Sequence, residues 1–255
     1  MTGKTPNRWV LQSAPKPGAR LRLFCLPYAG GGAQIFRGWA DGLPAVVEVC
    51  PIQLPGRESR MKEERFSQVS PLVQAIVPAL LPFLDMPFVF FGHSMGALIA
   101  FELARELRRQ NRTDPSYLIV SGRGAPQLPL ERAAINRLPE PLFIDALKRL
   151  NGTPEAVLEN PDLMKLVLPL LRSDFSVNEE YSYLEAPPLA CPLMAMGGLN
   201  DTEASREAIE AWRAQTSGSF IMRMLPGDHF FLTSAQPLFL RILSQELHQL
   251  ARALG

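Results

Sequence analysis

Pro87-Phe88-Val89-Phe90-Phe91-Gly92-His93-Ser94-Met95-Gly96 runs straight into the helix-like stretch Ala97-Leu98-Ile99-Ala100-Phe101-Glu102-Leu103-Ala104. A short apolar run that opens on proline reads as a buried strand. Gly-x-Ser-x-Gly between such a strand and a helix is the pattern of a nucleophile elbow. The turn is so tight that the serine backbone is strained, and only small residues fit two places to either side. That geometry lifts the Ser94 hydroxyl clear of the sheet edge. It also puts the Met95 N–H at a helix N-terminus, where it can face the oxygen of a reacting carbonyl. Gly-x-Ser-x-Gly by itself arises by chance, so the flanking strand and helix give the motif its weight.

Outward from the elbow, short apolar runs alternate with helical periodicity. Leu21 to Leu26, Val46 to Ile52, Tyr117 to Gly122, Pro192 to Gly197 and Phe220 to Leu225 read as strands. Phe66 to Leu84 carries apolar residues at the 3–4 spacing of a core-facing helix, and Ala204 to Trp212 and Leu238 to Leu254 are helix candidates. This alternation predicts a mostly parallel sheet with helices on both faces. Between about 127 and 188 no strand is convincing. Two amphipathic patterns stand there, one on Leu142, Phe143, Ala146, Leu147 and Leu150, the other on Leu163, Leu166, Val167, Leu170 and Leu171. A helical block of that length reads as a lid inserted over the site, with ordinary crossover packing as the alternative. Arg105, Arg108, Arg109 and Arg112 gather at the end of the elbow helix, where cations suit the macrodipole.

A chain of 255 residues fits one such domain, taken as 1–255, and can bury a large core. A net charge of +1 gives no footprint for nucleic acid. The most apolar stretch, Leu72 to Ala104, is interrupted by Gln74, Pro78, Pro82, Asp85 and Pro87, which argues against a membrane span. The first twenty residues are polar and lack the apolar core of a signal peptide. Cys25, Cys50 and Cys191 are widely spaced without a Cys-x-x-Cys, and read as buried reduced thiols rather than metal ligands. A cytoplasmic protein without metal or cofactor is expected, with a monomer favoured.

Serine needs a base, because its hydroxyl is barely ionised at neutral pH. The three histidines make the search short. His93 adjoins the nucleophile and points elsewhere, which leaves it a packing role. His248 lies in the C-terminal helix pattern, where solvent is expected. His229, just past the last strand, is the base. The acid should follow another strand and precede the histidine. Asp201 does so and is favoured, with Asp228 and Asp174 as alternatives. The three consecutive glycines of Pro27-Tyr28-Ala29-Gly30-Gly31-Gly32 follow the first strand without a Gly-Lys-Ser/Thr or a Gly-x-Gly-x-x-Gly. A loop there suits the second oxyanion donor, assigned to the Ala29 N–H beside that of Met95, with a plain flexible turn as the alternative. Arg57 and Arg60 could contact an anionic partner, with a solvated salt-bridge loop the favoured reading. The set Ser94, His229 and Asp201 describes acyl transfer through a covalent intermediate, and leaves open whether oxygen, nitrogen or sulfur departs.

Six stretches go further: Leu26-Pro27-Tyr28-Ala29-Gly30-Gly31, Gln53-Leu54-Pro55-Gly56-Arg57-Glu58, Phe91-Gly92-His93-Ser94-Met95-Gly96, Ser121-Gly122-Arg123-Gly124-Ala125-Pro126, Leu171-Arg172-Ser173-Asp174-Phe175 and Gly227-Asp228-His229-Phe230-Phe231. In this order they resemble the type II thioesterases that accompany polyketide and nonribosomal peptide synthases. The resemblance implies an α/β-hydrolase fold with a mobile helical lid, Asp201 as the acid and a structural Asp174. It also implies acyl- or peptidyl-carrier proteins as partners, each presenting an acyl thioester on phosphopantetheine, and an editing task that removes aberrant acyl groups. A medium-chain fatty-acyl thioesterase, a carboxylesterase and a catalytically dead docking subunit are the competing readings. If the lid walls the channel, truncating Leu142 or Phe143 is expected to change acyl preference.

Overall fold

The computed structural model describes residues 7–11 and 16–254. Part of the polar N-terminal stretch on which the absence of a leader was read therefore lies outside the described residues. Six strands form one sheet: β1 (Leu21–Leu26), β2 (Val47–Pro51), β3 (Phe88–His93), β4 (Tyr117–Ser121), β5 (Leu193–Gly198) and β6 (Phe220–Leu225). Their spatial order is β2-β1-β3-β4-β5-β6, and every pairing is parallel. The central strands β3, β4 and β5 are buried along their whole length and largely apolar rather than alternating, because helices cover both faces.

The helices are α1 (Trp39–Gly42), α2 (Val69–Leu80), α3 (Met95–Arg109), α4 (Glu140–Leu150), α5 (Glu155–Leu158), α6 (Pro161–Glu179), α7 (Arg206–Glu210), α8 (Phe231–Ser234) and α9 (Gln236–Ala253). Successive strand residues point to opposite faces. Phe24, Phe88, Phe90, Leu118 and Val120 pack under α2 and α3. Leu23, Val89, Phe91, Ile119 and Met194 pack on the other face against Trp39, Phe239 and Leu243. The helix expected over Phe66 to Leu84 is shorter. Its α-helical part ends at Leu80 and tightens into a 3-10 turn at Leu81–Phe83, where Pro82 falls. All three cysteines are buried.

Between β4 and β5 the chain leaves the sheet. Helices α4 and α6 share a small core of their own, in which Phe143, Ala146, Leu147, Met164, Leu171 and Phe175 are buried. The buried stripe of α6 keeps Leu170 and Leu171 of the residues the sequence suggests and adds Met164 and Phe175. Leu163 and Leu166 are instead 41% and 54% exposed. Among the described residues, no helix is long and apolar enough to cross a membrane.

The sheet order places a topological switch between β1 and β3. From β1 the chain goes to one side to make β2, then returns to the other side for β3. The loops leaving β1 and β3 therefore diverge at their C-terminal ends and leave a crevice, where ligands bind in open α/β sheets.

Candidate active site

Both loops at the switch carry residues singled out above. Ser94 caps the N-terminus of α3 with φ 54° and ψ −116°, a backbone strain expected of an elbow. Two glycines permit the turn. A Cβ on Gly92 would lie 2.0 Å from the Gly96 carbonyl oxygen, and one on Gly96 would lie 2.2 Å from that of Leu26. The second contact presses the start of α3 against the end of β1, which brings the Ala29 loop beside the elbow. The Ser94 N–H donates to the Ser121 carbonyl at 2.7 Å, tying the turn to β4.

The loop after β1 leaves one N–H over. Gly31 donates to the Tyr28 carbonyl at 2.9 Å. Gly30 donates to the Asp174 carboxylate at 2.7 Å. Among the described residues the Ala29 N–H has no partner, and neither does that of Met95. Ala29 lines the same cavity as Ser94 and His229.

The loops after β5 and β6 are laced together. Leu199 N–H donates to Leu225 O at 2.8 Å, and Asn200 N–H to Gly227 O at 2.9 Å. Gly198 allows this approach, since a Cβ there would sit 2.3 Å from the Asp228 carbonyl oxygen. The lacing carries Asp201 to His229, whose Nδ1 lies 2.9 Å from Oδ2 and 3.2 Å from Oδ1. The Asp201 side chain has no exposed surface and also accepts the Glu203 N–H at 2.8 Å. An acid in that position fixes the imidazole tautomer, leaving Nε2 as the free acceptor. Among the described residues no hydrogen bond joins the Ser94 hydroxyl to His229, although both line the cavity. Such contacts are commonly long without substrate and tighten on binding.

The alternative acids are otherwise engaged. Asp228 accepts the Phe230 N–H at 2.9 Å, a turn-capping bond. Asp174 is buried and holds Arg57 with two contacts, Nη2 to Oδ1 at 2.7 Å and Nη1 to Oδ2 at 2.8 Å. That pair corrects the solvated-loop reading of Arg57 and Arg60. Both arginines are buried, at 5% and 6% exposure. Arg60 is covered by the Trp9 ring at 3.9 Å and bonded to the Gln53 carbonyl and to Glu63. Charge in the motif disguised a core network, because each guanidinium is satisfied internally.

His93 is fully buried, with Nδ1 2.9 Å from the Ser121 hydroxyl. Its ring is packed by Tyr28, His229 and Phe231. Burial, reinforced by the neighbouring His229, holds its pKa well below the ordinary histidine range, so it is neutral. His248 is exposed on α9.

The cavity is about 70 Å³. Leu130, Leu147, Leu150, Leu171 and Phe175 make its apolar wall. Arg123, Arg132, Asn178 and Glu203 also line the cavity and supply polar groups that the sequence did not single out. Arg123 stood inside a quoted stretch, Ser-Gly-Arg-Gly-Ala-Pro, and that was its one signal. Leu142 is 53% exposed and Phe143 lies inside the helical subcore, and neither lines the cavity. The expectation attached to those two belongs instead to Leu147 and Leu150. Among the described residues no group of three or more His, Cys, Asp or Glu side chains could hold a metal ion.

The parallel sheet and its elbow define an α/β-hydrolase fold. The chain belongs to the thioesterase domain family, whose sequence profile matches residues 21–247. The gramicidin S biosynthesis protein GrsT of Aneurinibacillus migulanus is 44% identical over 241 residues, 94% of each chain. Among solved structures, the RedJ thioesterase of the prodiginine pathway in Streptomyces coelicolor is 41% identical. It superposes with a TM-score of 0.83, covering 89% of this chain and 86% of its own. The type II thioesterase YbtT of the yersiniabactin NRPS/PKS pathway is 32% identical, with a TM-score of 0.85 over 97% of this chain and all of its own.

Proposed function

We propose that this protein is a serine thioesterase that clears acyl groups from the phosphopantetheine arms of carrier proteins in a nonribosomal peptide or polyketide synthase. The observation that carries the chemistry is the Asp201–His229 pair opening on the cavity that also holds Ser94 on its strained elbow. Relatives from gramicidin S, prodiginine and yersiniabactin biosynthesis support the assignment to a synthase pathway.

In this reading His229 Nε2 takes the Ser94 proton as Oγ attacks the thioester carbonyl. The N–H groups of Ala29 and Met95 receive the oxyanion, and Asp201 stabilises the imidazolium. The carbon–sulfur bond breaks and the thiol leaves with the proton returned by His229. A thiol, with a reference pKa of about 8.5, departs with little help. Water, deprotonated by His229, then cleaves the acyl-serine and releases the acid. The cavity is smaller than the ~150 Å³ that accepts a benzene-sized molecule, which favours short acyl groups over a medium-length aliphatic chain.

The test follows acid release from one short acyl group on a carrier protein and on a simple thiol, with wild type and Ser94→Ala side by side. Faster release from the carrier, lost in Ser94→Ala, is the expected result. Equal rates on both would refute carrier direction and leave a general thioesterase.

A further inference from the structure

Arg123 stands in the wall of the cavity with no anion to balance it. Its residue is 7% exposed and its guanidinium is enclosed by protein. Nη1 donates to the Asn178 side-chain oxygen, and Asn178 lines the same cavity. Nε is buried without a partner. Among the described residues no carboxylate pairs with Arg123. Nearby anions are committed elsewhere. Glu179 and Glu203 both bind Arg132, each at 2.5 Å. The hydroxyl of Tyr181 donates to Glu102 at 2.7 Å.

An unpaired buried guanidinium is costly, and the cost shows. Burial lowers its pKa to about 10; Tyr181 opposes the shift in part and the like charge of Arg132 adds to it. At neutral pH it still carries its charge. The backbone that carries it is anchored. The Arg123 carbonyl accepts the Trp212 indole N–H at 2.7 Å, and the Ala125 N–H donates to Ala208 O at 2.9 Å. Gly122 has φ +61° and a Cβ there would meet the His93 ring at 2.5 Å, so the turn out of β4 requires glycine. Buried polar groups are normally satisfied, and an orphan fixed on a substrate cavity is a group awaiting a ligand.

We infer that Arg123 is an acyl-recognition residue that holds a carboxylate, or a comparable hydrogen-bond acceptor, on the acyl group of the substrate thioester, and disfavours an acyl group bearing an ammonium. The ligand completes the hydrogen bonding of the guanidinium and neutralises it, whereas a second cation in the same closed space meets uncompensated repulsion. The apolar wall of Leu147, Leu150 and Leu171 then limits the length of the chain and Arg123 selects its polarity. This rests on the thioesterase reading, and adds a preference that the triad alone does not contain.

The experiment uses thioesters of one simple thiol, which removes carrier docking from the comparison. Malonyl is set beside its uncharged isostere 3-methylbutanoyl, and 3-aminopropanoyl beside butanoyl. Wild type, Arg123→Gln and Arg123→Lys are assayed for kcat/KM, with thermal melting to verify folding. Binding of the same compounds to Ser94→Ala, alone and combined with Arg123→Gln, is measured by calorimetry. A charged hydrogen bond worth about 1.5–3 kcal/mol corresponds to roughly 10–150-fold. The malonyl to 3-methylbutanoyl ratio should fall by at least about 10-fold in Arg123→Gln, with partial retention in Arg123→Lys. The 3-aminopropanoyl to butanoyl ratio should rise. Unchanged ratios in turnover and binding, or equal loss on every thioester, would overturn the inference. If wild type hydrolyses none of the compounds, the triad reading fails by itself. The calorimetric ratio on Ser94→Ala then still decides the role of Arg123.

Discussion

Asp174→Asn should damage catalysis as well as stability, although Asp174 is not in the triad. Its carboxylate accepts two hydrogen bonds from Arg57 and one from the Gly30 N–H, at 2.7–2.8 Å. Both side chains are nearly sealed, at 6% and 3% exposure. An amide keeps the size but loses the charge, and presents N–H to donors on at least one side. Breaking a buried pair from one partner costs about 3–5 kcal/mol, because the other charge stays behind. The Gly31 carbonyl, 2.8 Å from Arg57 Nη1, compensates little of that. At roughly 2–4 °C per kcal/mol for a domain of this size, the melting temperature should drop by about 6–20 °C. The catalytic effect follows through Gly30, whose neighbour Ala29 carries the free N–H assigned to the oxyanion. Deleting an oxyanion donor costs about 10²–10³ in kcat; misaiming one should cost roughly 10–100-fold, with KM little changed. Arg57→Lys is the control, since it weakens the pair but leaves Asp174 on Gly30. Melting curves and steady-state hydrolysis of a short acyl thioester read both effects. An Asp174→Asn enzyme that melts lower but keeps wild-type kcat would refute the link to the oxyanion loop.

Two further outcomes are expected. Leu147→Ala or Leu150→Ala should raise the rate on longer relative to shorter acyl chains by roughly 10-fold, on the scale of one to two methylenes in a pocket, whereas the exposed Leu142→Ala should not; a chain-length series in which all three behave alike contradicts the cavity assignment. For His93 the folded pKa is depressed and the unfolded one is about 6.5, so below that pH only the unfolded chain takes up its proton. Stability present at neutral pH is therefore lost on acidification, by about 1.4 kcal/mol per pH unit from this group. Replacing His93 with Gln should flatten the denaturation midpoint between pH 6.5 and 5 by that slope, and parallel slopes for the two proteins would exclude it.

What the sequence disclosed and what it withheld divide along a physical line. Strand runs such as Phe88–Phe91 and Tyr117–Val120 are legible because burial on both faces leaves continuous apolar stretches. Ser94, Asp201 and His229 were singled out because each follows a strand end and chain order restricts the choices; the structure puts Asp201 on His229, and Ser94 and His229 on one cavity. The α6 stripe was right at Leu170 and Leu171 and misread at Leu163 and Leu166, which share its spacing but lie exposed, because periodicity does not say how far along a helix the cover extends. Arg57 and Arg60 were misread because charge in a loop normally means solvent, and their partners, Asp174 and the Gln53 carbonyl, are fixed only by the fold. Arg123 and Asn178 meet across a sequence separation of 55 residues, and no local pattern records such a contact.

Helix α6 then does two jobs with one face. Leu171, Asp174, Phe175 and Asn178 stand at i, i+3, i+4 and i+7, which aligns them along a single side of the helix. Leu171, Phe175 and Asn178 line the cavity, and Asp174 between them holds the Gly30 N–H. A shift or rotation of α6 that reshapes the cavity must also move the carboxylate that anchors the loop of Ala29. Shape of the acyl site and placement of the oxyanion donor are thus mechanically joined. Substitutions that displace α6 should alter kcat together with acyl preference, whereas those on α4 that only widen the wall, such as Leu150→Ala, should alter preference alone.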